Sequence, residues 1–110
     1  MKSLERTLGA LGLCARARKL VFGTPQVCEA LKGREKPYLV LMPSDNSENT
    51  AKRLRDRCAY YGTPLVVLET DADRLSAAVG KKGRISSVAI TDPNLYRLVA
   101  DTLTQEEHNV

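Results

Sequence analysis

The sequence predicts an α/β fold, a three-layer α/β/α sandwich, and three observations carry that reading. Short apolar runs rich in β-branched residues recur at residues 38–42, 65–68 and 87–90, the pattern of strands buried on both faces. Between them lie segments with apolar residues at helical spacing and recognisable ends. Strands that alternate with helices favour right-handed parallel crossovers and a sheet covered on both faces.

Each element has its own local reason. Ser3 is placed to cap a first helix that buries Leu4, Leu8 and Leu11. Gly9 and Gly12 either weaken that helix by about 1 kcal/mol each relative to alanine or permit close packing. Arg16, Arg18 and Lys19 follow, then a short strand formed by Leu20, Val21 and Phe22. Thr24 caps and Pro25 opens a second helix, with Val27, Ala30 and Leu31 as its apolar face and Gly33 at its end. After the strand at 38–42, a helix starts at Asn46 or Ser47, buries Ala51, Leu54, Cys58 and Tyr61, and stops at a left-handed Gly62. Another runs from Thr70 or Asp71 to Val79, with acids in its first turn where the helix dipole favours them, and Gly80 closes it. Thr91, Asp92 and Pro93 start a last helix whose buried stripe is Leu95, Leu98, Val99 and Leu103. The order is α-β-α-β-α-β-α-β-α, a single domain over residues 1–104 with a flexible polar tail at 105–110.

A chain of 110 residues that is 43% apolar can bury one core without disulfide or metal staples. No apolar run approaches the roughly 20 residues of a membrane span, and the start lacks a signal-peptide pattern, so a cytoplasmic protein is expected. Cys14, Cys28 and Cys58 are odd in number and widely spaced, which reads as reduced, mostly buried thiols. His108 lies in the polar tail, which leaves a Ser/Cys–His pair or a histidine-based metal site without parts. Asp45 and Asp92 follow strands where α/β enzymes place catalytic groups, but neither has a Lys, His or Ser partner, and helix capping accounts for both better. The expectation is a protein that is not an enzyme and uses no cofactor or metal.

The net charge of +4 is unevenly spread: residues 1–36 carry +5 and residues 81–97 carry +3, while 64–80 and 98–110 are acidic. Basic clusters on a small domain attract phosphate polymers, because each cation placed near a phosphate releases condensed counterions. The plain alternative is a solvated surface. The start of the second helix, at Thr24 and Pro25, follows Arg16, Arg18 and Lys19 and presents free N–H groups at the positive end of a helix dipole. It is an anion site or a simple capped turn. Gly80, Lys81, Lys82, Gly83 and Arg84 form a basic loop in which glycine lets the main chain approach a phosphate backbone, or else a solvated turn. The loop joins a helix to a strand, unlike a KH-domain clamp, and lacks the Gly-Lys-Ser/Thr of a nucleotide P-loop. Lys52, Arg53, Arg55 and Arg57 form a charge run of the kind usually found on a solvated face. Tyr60 and Tyr61 offer rings for base stacking, although a pair at a helix end more often packs on the neighbouring layer.

Four stretches carry a family resemblance over roughly residues 8–103: LGLCARARKLV at 11–21 with Gly23, SENTAK at 47–52, DRCAYY at 56–61 and VAITD at 88–92. In combination they resemble the YlxQ branch of the kink-turn-binding ribosomal-protein superfamily, of the archaeal large-subunit type. The resemblance implies a mixed four-stranded sheet with an antiparallel first strand, and a small, non-catalytic bacterial protein that binds RNA. It places the recognition surface at the start of the second helix, here Gly23, Thr24, Pro25 and Gln26, and in the loop before the last strand, here residues 81–86. This chain keeps Gly23 and Thr24 but has Pro25, Gln26 and Glu29 where kink-turn readers place Asn, Glu and Lys.

Proline has neither a side-chain donor nor an N–H. Those replacements imply binding through phosphates and shape, salt-sensitive and less sequence-selective. The residues expected to contact RNA are Arg16, Arg18, Lys19, Gly23, Thr24, Gln26, Lys81, Lys82, Gly83, Arg84 and Ile85. Within that set the cations take phosphates, Gly23 and Thr24 offer N–H groups, Gln26 touches a base edge and Ile85 packs on a sugar or base. The expected partner is structured RNA, ribosomal RNA foremost, with ribosomal or transcription-associated proteins as the alternative and no membrane.

Overall fold

A computed structural model describes the backbone of residues 2–108 and the side chains of residues 4–103. In chain order the elements are α1 (Lys2–Arg16), β1 (Leu20–Phe22), α2 (Thr24–Lys32), β2 (Leu39–Pro43), α3 (Glu48–Tyr61), β3 (Leu65–Leu68), α4 (Ala72–Ala78), β4 (Val88–Ile90) and α5 (Pro93–His108). Local chemistry sets most boundaries. The Ser47 hydroxyl accepts the Thr50 N–H at the start of α3, and Gly62, at φ 73°, ends that helix in a left-handed conformation that glycine adopts freely. Asp71 accepts the Arg74 N–H ahead of α4, and Asp92 accepts the Leu95 N–H at 2.9 Å ahead of α5.

Two ends differ from the sequence reading. Helix α1 begins at Lys2, before the expected Ser3 cap, whose side chain lies outside the described residues. Helix α5 continues through His108, so residues 105–108 are helical where a flexible tail was expected, and residues 109–110 lie outside the described residues. Gln105, Glu106 and Glu107 are good helix formers, and no Gly or Pro intervenes to stop the helix.

The sheet order is β1-β4-β2-β3. Strands β2 and β3 are parallel, with Val40 opposite Leu65, whereas β4 is antiparallel to both its neighbours, with Ile90 opposite Leu39 on one side and Leu20 on the other. Hence β1, β2 and β3 point the same way and β4 is the reversed strand. The sheet is mixed and the first strand antiparallel to its neighbour, as the resemblance implies; the parallel crossover favoured by alternating strands and helices joins β2 to β3 but fails at β4, which is the strand turned round. The cause lies in the connection from β3. Helix α4 has only seven residues, and the chain then returns along it, with Lys81 N–H on the Ser76 carbonyl and Ile85 N–H on the Ser76 hydroxyl. It therefore reaches β4 at the end where β3 stopped. That exit end, where β1, β2 and β3 finish, holds the starts of α2, α3 and α4; the opposite, entry end holds the starts of those strands.

Strict alternation divides the core. Leu39, Leu41, Val88 and Ile90 face α1, α4 and α5, while Val40, Met42 and Ala89 face α2 and α3. Leu11, Leu31, Leu54 and Leu75 are fully buried, each contributing roughly 2–3 kcal/mol of transfer free energy. Thr7 and Thr102 pair their buried hydroxyls across α1 and α5 at 2.5 Å. Among the described residues no helix is long and apolar enough to cross a membrane.

The three thiols are free and buried, and burial raises Cys14 and Cys58 above the ordinary cysteine value. Burial, with Cys28 nearby, pushes the Cys58 thiol up to about 11. The folded protein therefore holds a proton that the unfolded chain releases from about pH 9. The stabilisation is complete below that pH and is lost as pH rises through about 11. Urea midpoints measured across this window should fall for the native sequence and fall less for Cys58→Ala.

Candidate nucleic-acid interface

At the exit end, Gly23 caps α2 with φ 87° and ψ 147°, a combination open to glycine alone. Its N–H donates to the Ser87 carbonyl at 2.9 Å and its carbonyl accepts from Val27 at 2.9 Å. Thr24, expected to cap α2, is instead its first residue. Its buried hydroxyl meets Ser86 Oγ at 2.6 Å and Ser87 Oγ at 3.1 Å. Gly23 therefore has no spare N–H for an anion, contrary to the sequence reading. Pro25 has none by chemistry, which leaves the N–H groups of Thr24 and Gln26 as the first-turn donors without a partner in the helix. The exposed Gln26 folds back, its Oε1 3.2 Å from where a Cβ on Gly23 would sit.

The segment between α4 and β4 is held from several sides. Asn46 donates to the Ser86 carbonyl at 2.8 Å, and Arg84 donates to Asp45 at 2.8 Å and reaches Asp73 at 3.5 Å. Asp45 also accepts the Ala72 N–H at 3.0 Å, so one carboxylate caps α4 and anchors the loop. It holds the Arg84 guanidinium above its already high ordinary value through that hydrogen bond and its charge. Arg84, read as a phosphate contact, is thus committed within the protein, although its side chain stays 59% exposed. Ile85 is a plain correction: it is only 7% exposed and packs into the core beneath α1 and α4, so no sugar or base can rest on it. Lys81, Lys82 and Gly83 remain on the outside, with Gly83 at φ 82° turning the chain between them and Arg84.

From this loop a groove of about 460 Å³ runs along β1, lined by Arg16, Arg18, Phe22, Gly80 and Lys81. The Lys81 ammonium stands 4.5 Å from the centre of the Phe22 ring, a cation–π contact that leaves its outer side free. Among the described residues no acid lines the groove, and Arg16, Arg18, Lys81 and Lys82 enter no ion pair. Arg18 adopts φ 59°, unusual for a side-chain-bearing residue, in the turn that swings the chain from α1 into β1. Lys19 does not join this set. Its carbonyl accepts both the N–H and hydroxyl of Thr91 at the entry end, a strand's length from Gly23. On α3, Lys52 pairs with Asp56 at 2.7 Å, as expected of a solvated charge run.

Sequence reading missed Asn46, Ser76, Ser87 and Phe22 as parts of this site and gave Ser86 no role beyond its place in the loop. Ser87 and Asn46 act on partners far along the chain and Ser76 on Ile85 nine residues on, and none shows a local pattern; the single phenylalanine, following Arg16, Arg18 and Lys19, was the one signal available.

The fold and this surface define a class. The model of the ribosomal protein L7Ae/L30e/S12e/Gadd45 family matches residues 5–100, and the chain belongs to that family. Within it the chain is similar to the RNA-binding protein YlxQ of Bacillus subtilis, 42% identical over 82 residues that span 74% of this chain and 79% of that protein. A YlxQ of Enterococcus faecium is 29% identical over 84 residues, 76% of this chain and 80% of that protein. Among solved structures, a Bacillus halodurans protein of unknown function superposes with a TM-score of 0.80 at 32% identity, covering 90% of this chain and 97% of that one. A Giardia lamblia 15.5kD RNA binding protein gives 0.81 at 19% identity, covering 100% and 92%, a likeness of fold.

Proposed function

We propose that the protein is a non-enzymatic RNA-binding protein whose ligand is structured RNA, ribosomal or kink-turn-like, in a translation-associated setting within the cytoplasm. The observation that carries this reading is the groove along β1 lined by Arg16, Arg18 and Lys81, free of acids among the described residues, with the exposed Lys82 on the same loop. Four cations outside any ion pair among the described residues suit a polyanion, and the latched loop fixes Lys81 and Lys82 before binding, which lowers the ordering cost. The YlxQ relatives, named as RNA-binding proteins, support the same class. Pro25 supplies no donor, so contacts fall on phosphates and shape more than on base edges.

Crosslinking and sequencing of RNA bound in cells, followed by titration of the recovered RNA and a kink-turn control at two salt concentrations, tests this. Defined structured sites with strongly salt-dependent affinity are expected. A second reading, docking on a ribosomal or transcription-associated protein, is favoured by Pro25 and by the exposed Glu29, whose carboxylate lies 3.3 Å from Lys32. Diffuse, easily stripped RNA together with a salt-insensitive protein complex from nuclease-treated lysate would move the assignment there.

A further inference from the structure

All four tyrosines of the chain gather at the entry end, opposite the loop. Tyr38 immediately precedes β2 and stacks on Tyr96, in the first turn of α5, with centroids 5.9 Å apart and planes 22° from parallel. Tyr60 and Tyr61 close α3 and meet edge to face at 4.8 Å. Lys36 links the two pairs: its ammonium lies 5.3 Å from the centre of the Tyr61 ring, and it lines a groove of about 500 Å³ with Tyr38. A second groove of about 410 Å³ is lined by Asp56, Arg57 and the Tyr60–Tyr61 pair.

Packing does not account for this arrangement. Tyr60 is 81% exposed and Tyr38 42% exposed, so large ring faces stand in water beside cations. Lys36 and Arg57 line the grooves, and the Lys19 backbone meets Thr91 of the Lys36 groove. Of the acids at this end, Asp56 is paired with Lys52 and Asp92 caps α5, which leaves Glu35 as the acid lining the Lys36 groove. Open aromatic faces interleaved with surplus positive charge fit unpaired nucleotides, whose bases stack while their phosphates meet the cations.

We propose that the entry end is a second binding site, for a single-stranded RNA segment, stacked on Tyr60 and Tyr38 and held by Lys36 and Arg57. The inference rests on the RNA reading above, but uses the face opposite its loop, on a molecule measuring 32 × 29 × 28 Å. One RNA can thus be gripped at a folded part by the exit end and at an unpaired flank by the entry end.

The chain has four tyrosines and no tryptophan, so its intrinsic emission reports on this face alone. An oligouridine of about ten nucleotides, within the range that single-strand grooves cover, should quench that emission on binding. Tyr60→Ala and Lys36→Glu should each weaken it about tenfold, with Tyr60→Phe retaining most of the affinity. The double variant Lys81→Glu, Lys82→Glu should bind the oligomer as the native protein does. Because Tyr60 is so exposed, its removal leaves the fold intact, which an unchanged thermal midpoint checks. A hairpin RNA without an unpaired extension separates the two claims. If the hairpin binds while oligouridine neither binds nor quenches, or if Tyr60→Ala and Lys36→Glu bind it undiminished, the second site is overturned and the loop reading stands; if neither RNA binds, the RNA reading itself fails. Loss of a protein partner from nuclease-treated lysate on Tyr60→Ala, with oligouridine affinity unchanged, also overturns it.

Discussion

Reversing the charge of Lys81 and Lys82 together is expected to lower affinity for structured RNA on the order of 30- to 100-fold at low salt and to flatten its salt dependence. Each lost phosphate contact removes roughly 0.7–0.9 from the slope of log affinity against log salt, so the slope should shrink by between one and two. Both side chains are exposed and outside any ion pair among the described residues, Lys81 touching only the Phe22 ring, and the loop is held by Ser76 and Asn46 at its backbone and by Thr24 at the Ser86 hydroxyl. The thermal midpoint should therefore hold. Arg84→Ala serves as the contrast, because its guanidinium already belongs to Asp45 and Asp73. It should loosen the loop and cost RNA affinity less than the paired reversal. Filter binding or fluorescence anisotropy at a series of salt concentrations decides; an unchanged affinity and slope in the double variant removes this loop from the interface.

The two glycines of α1 should respond in opposite directions to alanine. A Cβ on Gly12 would lie 2.9 Å from the Ala78 carbonyl oxygen, a backbone atom of α4 that cannot swing aside. Gly12→Ala should destabilise the protein by about 1–3 kcal/mol, the usual range for overpacking. Gly9 is exposed and a Cβ there meets nothing within 4 Å, so Gly9→Ala should stabilise it by roughly 0.5–1 kcal/mol through helix propensity. Urea titration of the two variants checks both signs. Gly12→Ala should also affect RNA binding, since the end of α4 that it would displace forms one wall of the Arg16–Lys81 groove.

That pair marks the limit of what local pattern conveys. The sequence offered two readings for Gly9 and Gly12, and the structure assigns one to each. The strands, the Ser47, Asp71 and Asp92 starts and the Gly62 stop were legible because their chemistry lies within a few residues. The reversal of β4 was not, since it depends on how far a seven-residue helix carries the chain. In the candidate site, the basic loop and the start of α2 were visible as composition. Their internal connections were hidden: Thr24 finds Ser86 across 62 residues, Arg84 finds Asp45 across 39 and Asn46 finds Ser86 across 40. Ile85 was misjudged because one apolar residue beyond a glycine-containing turn has no periodicity to say which way it faces. Lys19 was grouped with Arg16 and Arg18 by adjacency, whereas only those two line the groove along β1 with Lys81.

The reversed strand also governs when the protein becomes complete. Strand β4 pairs with both β1 and β2, yet it is the last strand synthesised. The parallel β2–β3 pair and α3 between them can assemble while the chain is still growing. Strand β1 must wait, because its neighbour is β4, and Gly23 and Thr24 must wait with it for Ser86 and Ser87. Closing so long a loop costs only slightly more entropy than a shorter one, but it defers the contact. The candidate surface at the start of α2 is thus among the final parts to take shape, and a nascent chain cut short before residue 88 lacks the strand that completes it.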